Sequence, residues 1–169
     1  MPEAPAIRLT LPQHAFKALL QRGVGIAGGA GATVRKFLED VLGIDATYVE
    51  ERLQTVFLDG QPVDDLDRAV VKPGAVLALS GAMPGLAGAT MRRGGYYARM
   101  REGITHEEHD PAVGVHDDGI VVVKLFNRPL ADLAESLAQR PLLARQGTVE
   151  GLESGAGEGG WVRLAVTLA

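Results

Sequence analysis

The apolar and polar positions of the first thirty residues predict two elements followed by a glycine-rich run. Apolar residues alternate with polar ones along Ile7–Leu11, which predicts a half-buried strand. Residues 13–22 carry apolar side chains at helical spacing and predict a helix, although a short strand also fits them. The run 23–31 contains the pattern G-x-G-x-x-G, but a dinucleotide fingerprint must follow a strand and open a helix. Because this run follows a predicted helix, we interpret it as a mobile loop.

The clearest helix in the sequence begins after Thr33, a residue type that caps helix N-termini, and ends at Gly43. Its apolar face consists of Val34, Phe37, Leu38, Val41 and Leu42. A short helical turn is predicted next, over residues 48–53.

Two strands and a tight turn are predicted after this helix. Residues 55–58 form the first strand, and the following Asp59-Gly60 pair predicts a tight turn with Val63 on the return. Residues 75–79 predict a buried strand that begins after a Pro-Gly turn.

The pattern near the C-terminus predicts a ββαββ unit. Apolar stretches at 113–115 and 120–126 flank an Asp-Asp-Gly sequence at 117–119, where glycine permits the positive φ of a hairpin turn. An amphipathic helix follows, and its apolar residues are Leu130, Leu133, Ala134 and Leu137. Strands at 148–152 and 161–168 complete the unit.

Charge and composition exclude several classes of function. The 169 residues carry a formal charge of −4 and include no cysteine, which excludes disulfides, thiolate metal sites and cysteine nucleophiles. The acidic balance argues against nucleic acid and anionic membranes as partners, because phosphate binding needs clustered Lys and Arg. No stretch approaches the roughly 18 apolar residues of a membrane span, and the first residues lack the pattern of a signal peptide. We therefore expect a cytoplasmic protein without nucleic-acid or membrane partners.

Three segments, at 33–38, 55–66 and 71–79, carry a resemblance to a known family. They read TVRKFL, TVFLDGQPVDDL and VKPGAVLAL, and they lie within residues 33–90, which make up about a third of the chain. This order of helix, strand, Asp-Gly turn, short strand, Lys-Pro-Gly turn and strand resembles the ubiquitin-like sulfur carriers, namely the small subunit of molybdopterin synthase and the thiamine-pathway carrier. The resemblance implies a β-grasp fold, in which a sheet grasps one helix, and a mobile tail that ends in Gly-Gly.

The chain departs from this family at the tail. After Leu79 it continues through a glycine-rich segment and ends at Ala169, so no terminal glycine carboxylate is present for conversion to a thiocarboxylate. The pair Gly94-Gly95 follows two arginines, and cleavage after Gly95 would create such a terminus. A processed sulfur carrier is therefore one alternative function.

Three of the four histidines lie close together among acidic residues. His106, His109 and His116 supply imidazoles that could bind zinc, iron or manganese, and a spacing of three puts the first two on one side of a helix. The pattern is not H-E-x-x-H, and Pro111 would break such a helix. We therefore prefer a solvated charged linker as the interpretation, and we expect no cofactor.

Asp64, Asp65 and Asp67 form an acidic cluster beside a predicted turn. Aspartates in this position commonly accept hydrogen bonds from nearby backbone N–H groups, so we interpret them as structural rather than catalytic. No G-x-S-x-G motif accompanies the serines, so an acyl-transfer enzyme is not indicated.

Residues 81–97 combine residue types that are common in interfaces. Methionine and leucine offer adaptable apolar contact, arginine pairs with anions, and tyrosine offers amphipathic surface. The candidate partner-binding residues are Met83, Leu86, Met91, Arg92, Arg93, Tyr96 and Tyr97. The alternative is an internal role, in which the segment seals the gap between two parts of the fold.

We predict an α+β fold with a β-grasp core and a ββαββ C-terminal extension. The predicted divisions are a β-grasp-like domain at 1–90, a crossover at 91–111 and the extension at 112–169, packed on the first unit. The preferred function is a non-catalytic binding or adaptor protein with a protein partner. The alternatives are the processed carrier and a small metal-binding protein or enzyme. If the strand at 161–168 remains an exposed edge, pairing with a second copy of the chain gives a homodimer.

Overall fold

The computed structural model of the chain describes residues 6–81, 119–145, 147–148 and 160–169. They form a mixed eight-stranded sheet and four helices, which is an α+β architecture. The strands are β1 (Ile7–Leu11), β2 (Val24–Ala27), β3 (Thr55–Leu58), β4 (Gln61–Pro62), β5 (Val76–Ser80), β6 (Ile120–Leu125), β7 (Leu142–Arg145) and β8 (Trp161–Leu168). The helices are α1 (Gln13–Arg22), α2 (Val34–Lys36), α3 (Ala46–Arg52) and α4 (Asn127–Ala138), and a π-helical turn at Phe37–Val41 continues α2.

The strands lie in the order β1-β8-β7-β2-β6-β5-β3-β4. The pairs β1–β8 and β5–β6 are parallel, and the other neighbours are antiparallel. β6 therefore lies between β2 and β5, although residues 81–119 separate it from β5 along the chain. The first and second halves of the chain share one sheet, and the predicted C-terminal unit does not form a sheet of its own.

The helices form a connected layer on one face of the sheet. α1 packs on α4 and β6, and α4 packs on β5 and β8. Tyr48 of α3 donates a hydrogen bond to Asp132 of α4, which joins α3 to the same layer. Alternate strand residues such as Val121, Val123 and Leu125 are buried beneath the layer. This helix layer and one side of the sheet enclose the hydrophobic core.

The start of α2 is fixed by the chain itself. Thr33 has an extended backbone, and its hydroxyl oxygen accepts a hydrogen bond from the N–H of Lys36 at 3.2 Å, which confirms the predicted N-cap. The N–H groups of the first two helical residues donate to the carbonyl oxygens of Ala69 and Leu66, both at 2.9 Å. The loop that precedes β5 therefore holds the helix at its N-terminus.

Two turns confirm their predictions through positive backbone angles. Gly43 has a φ of 68° just after the π-helical turn, and the N–H of Ile44 donates to the carbonyl oxygen of Leu38 at 3.0 Å, so the glycine ends the helix as predicted. Asp59 and Gly60 have φ values of 51° and 83°, which a two-residue β-hairpin between β3 and β4 requires.

Two local predictions are wrong, and the reasons lie in the sheet. The run 23–31 is not a loop throughout, because it contains β2, which pairs with β6 and β7. The Asp-Asp-Gly sequence at 117–119 does not give β6 a hairpin partner, because β2 and β5 occupy both edges of β6. After α4 the chain forms β7 at Leu142–Arg145, a strand that the sequence pattern did not predict, whereas the strand predicted at 148–152 lies outside the described residues except for Thr148 and stays a prediction.

The predicted domain boundaries near residues 90 and 111 lie outside the described residues, and the division stays a prediction. The longest helices are α4, with 12 residues, and α1, with 10. Within the ranges that the structure describes, no helix has the length and apolar character needed to cross a membrane.

Candidate functional site

All the partner-binding, processing and metal-binding residues predicted from the sequence lie outside the described residues. They are Met83, Leu86, Met91, Arg92, Arg93, Gly94, Gly95, Tyr96, Tyr97, His106, His109 and His116. Their roles stay predictions. In the described part of the chain, no group of three or more histidine, aspartate or glutamate side chains is placed to hold a metal ion.

The acidic cluster after β4 has structural contacts. The Asp65 carboxylate accepts a hydrogen bond from the N–H of Asp67 at 3.0 Å, as predicted for a turn aspartate. Asp67 in turn accepts a hydrogen bond from Nε of Arg35 at 2.7 Å, and Glu50 forms an ion pair with the same guanidinium. Burial lowers the pKa of Arg35, but the hydrogen bonds and charges of Glu50 and Asp67 outweigh burial and raise that pKa. These carboxylates tie α2, α3 and the loop together.

The glycine-rich loop at 28–32 connects a strand, β2, to a helix, α2, which the sequence pattern did not predict. The N–H of Gly31 donates to the carbonyl oxygen of Val71 at 2.6 Å. A Cβ atom at Gly29 would lie 2.8 Å from Cδ2 of Phe37, so a side chain there would clash with the helix. Phosphate binding needs N–H groups that point outward from a helix N-terminus, whereas those of α2 bond to the chain's own oxygens. The described loop therefore serves close packing.

Arg140 fastens the C-terminus of α4 to the end of the π-helical turn. Its Nη1 and Nη2 donate to the carbonyl oxygens of Val41 at 2.6 Å and Leu42 at 3.0 Å. Burial lowers the pKa of Arg140 below its ordinary value. Carbonyl oxygens at a helix end lack partners within the helix, so this side chain satisfies two of them.

A hydrogen bond from Tyr48 is a second contact between helices, here α3 and α4. Its hydroxyl donates to Oδ2 of Asp132 at 2.8 Å, and Nε of Arg128 lies 3.4 Å from the same oxygen. Burial, followed by the hydrogen bond and charge of Asp132, raises the pKa of Tyr48 well above its usual range. The Arg140 and Tyr48 contacts both serve to hold the helix layer together.

The face of the sheet opposite the helix layer, which we call the second face, carries a different set of side chains. Side chains alternate along each strand, so the residues between the buried ones project here. Its apolar centre consists of the partly exposed residues Val76, Ala78, Ile120 and Val122 and of the buried residues Gly25 and Leu143. Strand register brings these residues side by side, since Val122 is opposite Gly25 on β2 and opposite Val76 on β5. The result is a continuous aliphatic row across the middle of the sheet.

The charged residues of the strands are all cations, and all project to the second face. They are Arg8, Lys124, Arg145 and Arg163. No strand in the described ranges contains aspartate or glutamate, although the chain as a whole has a charge of −4. Within the described ranges, the strands therefore contribute only cations to the second face of an acidic protein.

Three of these cations follow a diagonal across one end of the sheet. Arg8 of β1 is opposite Ala165 of β8, and Arg163 lies two residues along β8 from there. Arg163 is opposite Leu143 of β7, and Arg145 lies two residues further along β7. With strands about 4.8 Å apart and a rise of about 3.3 Å per residue, successive Cα atoms on this diagonal are about 8 Å apart. We call Arg8, Arg163 and Arg145 the cation diagonal.

Trp161 lies between the cation diagonal and the aliphatic row. A Cβ atom at Gly25 would lie 2.9 Å from Cζ3 of Trp161, so the indole covers the glycine. The guanidinium of Arg145 lies over the indole, 4.4 Å from the ring centroid. The aliphatic row, the cation diagonal and Trp161 come from β1, β2, β5, β6, β7 and β8, and this dispersal explains why sequence reasoning missed them. The available signal was alternation, which sets Trp161 and Arg163 apart from their buried neighbours in β8.

Comparisons of the chain with protein-family models, with curated proteins and with solved structures found no match. The resemblance to the sulfur carriers over residues 33–90 thus stays a prediction. The second face is the feature of the described residues from which a function can be argued.

Proposed function

We propose that the chain is a non-catalytic binding or adaptor protein that recognises a protein partner with the second face of its sheet. The observation that carries this proposal is the one-sided covering of the sheet by the described helices. Val76, Ile120 and Val122 remain partly exposed in the centre of the second face, whereas their neighbours in the same strands are buried. A contiguous apolar patch bordered by charged residues is the usual composition of a protein interface.

The fold gives this proposal a β-grasp-like framework. The strands β2, β6, β5, β3 and β4 are neighbours in that order, and α2 with its π-helical turn lies between β2 and β3 in the chain. A β-grasp sheet places its first and last strands side by side and parallel, and β5 and β6 stand in this relation. In this chain the strand in the first position, β6, follows β5 instead of preceding β2. We propose that this half of the sheet is a β-grasp unit with a permuted strand.

The same strand order is unfavourable to the processed-carrier alternative. Cleavage after Gly95 would separate β6, β7 and β8 from the rest of the chain. β6 pairs with β2 and β5 on its two edges, so loss of this fragment would leave hydrogen-bonding groups unpaired in the centre of the sheet. The end of β5 is also fastened to α4, because Asn127 donates a hydrogen bond to Oγ of Ser80 at 2.7 Å. A freely extended tail after β5 is therefore not what these contacts favour.

The setting and the partner are part of the proposal. We propose a cytoplasmic location, in keeping with the cysteine-free composition, and cell fractionation with an antibody to the chain tests it. A second copy of this chain would count as a protein partner, and light scattering across protein concentration detects such a dimer.

The test of the adaptor proposal compares proteins retained by variants of the full chain in its source cells. Val122→Glu puts a charge in the aliphatic row, and Gln21→Glu, at an exposed position of α1, is the control with the same change in net charge. We expect at least one protein that is retained by wild type and by the control but lost with Val122→Glu. Thermal melting must show that both variants fold, and Ala78→Glu is the second choice if Val122→Glu does not. Identical sets of retained proteins for all folded variants would overturn the proposal.

A further inference from the structure

We propose that the partner segment bound by the second face is acidic, with carboxylates that pair with the cation diagonal and aliphatic side chains that cover the neighbouring row. This inference rests on the proposed function and specifies its partner class. It follows from the segregation of charge, because the strands contribute cations to one face only and contribute no carboxylate within the described ranges. A face of one sign favours a partner of the opposite sign and disfavours others by repulsion.

The arrangement of the cations suits an extended acidic segment. The Cα atoms of Arg8, Arg163 and Arg145 are spaced about 8 Å apart, and alternate residues of an extended chain repeat every 6.6 Å or so. The long arginine side chains can make up this difference, and a planar guanidinium can bind a carboxylate through two hydrogen bonds. Glutamates at alternate positions of one segment could therefore reach successive members of the diagonal.

The aliphatic row explains why charge alone is not the whole site. Arg163 is opposite Leu143, and beyond the buried residues Leu143 and Gly25 the row reaches Val122, which is partly exposed. An apolar side chain of the partner, next to its carboxylates, would pack on this row and remove both surfaces from water. Burial of apolar surface is the main source of favourable free energy in association. The cations then determine which partner is chosen and how quickly it associates.

The described surface favours an acidic protein segment over a single-stranded nucleic acid. Protein sheets that bind single-stranded nucleic acid use exposed aromatic rings as stacking platforms for the bases. Trp161 is the aromatic residue beside the diagonal, and the guanidinium of Arg145 already lies over its ring. Phe57 lies on β3, five strands from Trp161 and thus about 24 Å away. The net charge of −4 adds a repulsive background for a polyanion.

The experiment uses the full chain and three fluorescent probes followed by anisotropy. The first probe is a short peptide in which glutamate alternates with leucine, the second replaces every glutamate by lysine, and the third is an oligothymidylate. We expect the acidic peptide to bind, the basic peptide not to bind, and the affinity to fall as salt is raised, because salt screens exposed charges. Absence of salt-sensitive binding by the acidic peptide, or tighter binding of the oligothymidylate, would overturn the inference.

Matched variants assign the binding to the cation diagonal. The test variant carries Arg8→Gln, Arg145→Gln and Arg163→Gln, and the control, with the same change in net charge, carries Lys17→Gln, Arg22→Gln and Lys36→Gln on the helices. We expect the test variant to weaken the acidic peptide by about tenfold or more and the control to change it by less than about twofold. If the triple variant does not fold, Arg8→Gln alone, on the edge strand, gives a smaller loss in the same direction. Equal affinities of test and control variants would contradict the inference.

The two proposals can fail separately. If the natural partner is lost with Val122→Glu but retained by the diagonal variant, the second face binds a partner that is not acidic, and only the present inference falls. If both variants retain every partner of wild type, the adaptor proposal falls with it.

Discussion

The two faces of the sheet are built from the same alternating strands but are used differently. On the helix side, Phe37, Leu77 and Val123 are fully buried, and the side chains of Arg140 and Tyr48 fasten the helices to one another. On the second face, the same strands present aliphatic residues that remain partly exposed, together with all their cations. The difference indicates that the helix face provides most of the stability of the fold, and it is the second face that we propose for recognition. Each prediction below tests this contrast with a matched pair of changes.

The largest loss of stability is expected from truncation of a phenylalanine in the core, in comparison with one on the second face. Phe37→Ala removes a fully buried ring and should reduce the free energy of unfolding by about 3–5 kcal/mol. Phe57→Ala removes a partly exposed ring on β3 and should cost about 1 kcal/mol. Urea denaturation of both variants measures the difference. Equal losses would mean that the second face is packed like the core, and the contrast would be wrong.

Two arginines provide the next comparison. Arg140→Ala leaves the carbonyl oxygens of Val41 and Leu42 without their donor, and we expect a loss of about 2 kcal/mol in unfolding free energy. Arg163→Ala removes a cation of the second face and should change stability by less than about 0.5 kcal/mol. Thermal and chemical denaturation test both. A larger loss for Arg163→Ala would indicate that the diagonal is structural.

A glycine-to-valine change tests how closely the second face is packed at one point. Gly25→Val would place a Cβ atom 2.9 Å from both Leu143 and Trp161, so we expect a loss of about 1–3 kcal/mol. In a Trp161→Ala background the same change should cost less, because the indole no longer occupies the space. A double-mutant cycle by denaturation measures this coupling. Additive losses would show that the indole does not cover Gly25 in solution.

The smallest effect concerns the pH dependence of the joint between α3 and α4. The folded chain raises the pKa of Tyr48 above its unfolded value near 10, so the folded state holds the hydroxyl proton more tightly. This contribution to stability is fully present below about pH 10 and is lost as pH rises beyond that value. Tyr48→Phe should lower stability by about 1 kcal/mol at neutral pH and make the decline at high pH shallower.

Denaturation of both proteins between neutral and alkaline pH provides the measurement. Parallel declines for wild type and Tyr48→Phe would show that the hydrogen bond to Asp132 does not hold the proton in solution.

Elements whose determinants lie within a few residues were predicted well. The Thr33 cap, the turn at Asp59-Gly60 and the helix α4 depend on contacts between near neighbours, and the structure confirms all three. The site fared differently. The site residues predicted from the sequence lie outside the described ranges, whereas the aliphatic row, the cation diagonal and Trp161 come from six strands whose proximity depends on strand order.

The sequence by itself determined which side chains of each strand would be buried together, because alternation follows from the pleat of a single strand. Only the tertiary structure decided which strands are neighbours. The aliphatic stretch at Ile120–Leu125 could pair with several strands. The turn sequence before it predicted a hairpin, but β2 and β5 pair with its two edges instead. Likewise, β1 pairs with β8 across almost the whole chain, as at Ile7 and Leu164. Such pairings depend on which arrangement buries the most apolar surface once the chain has closed its long loops, and no local pattern encodes that balance.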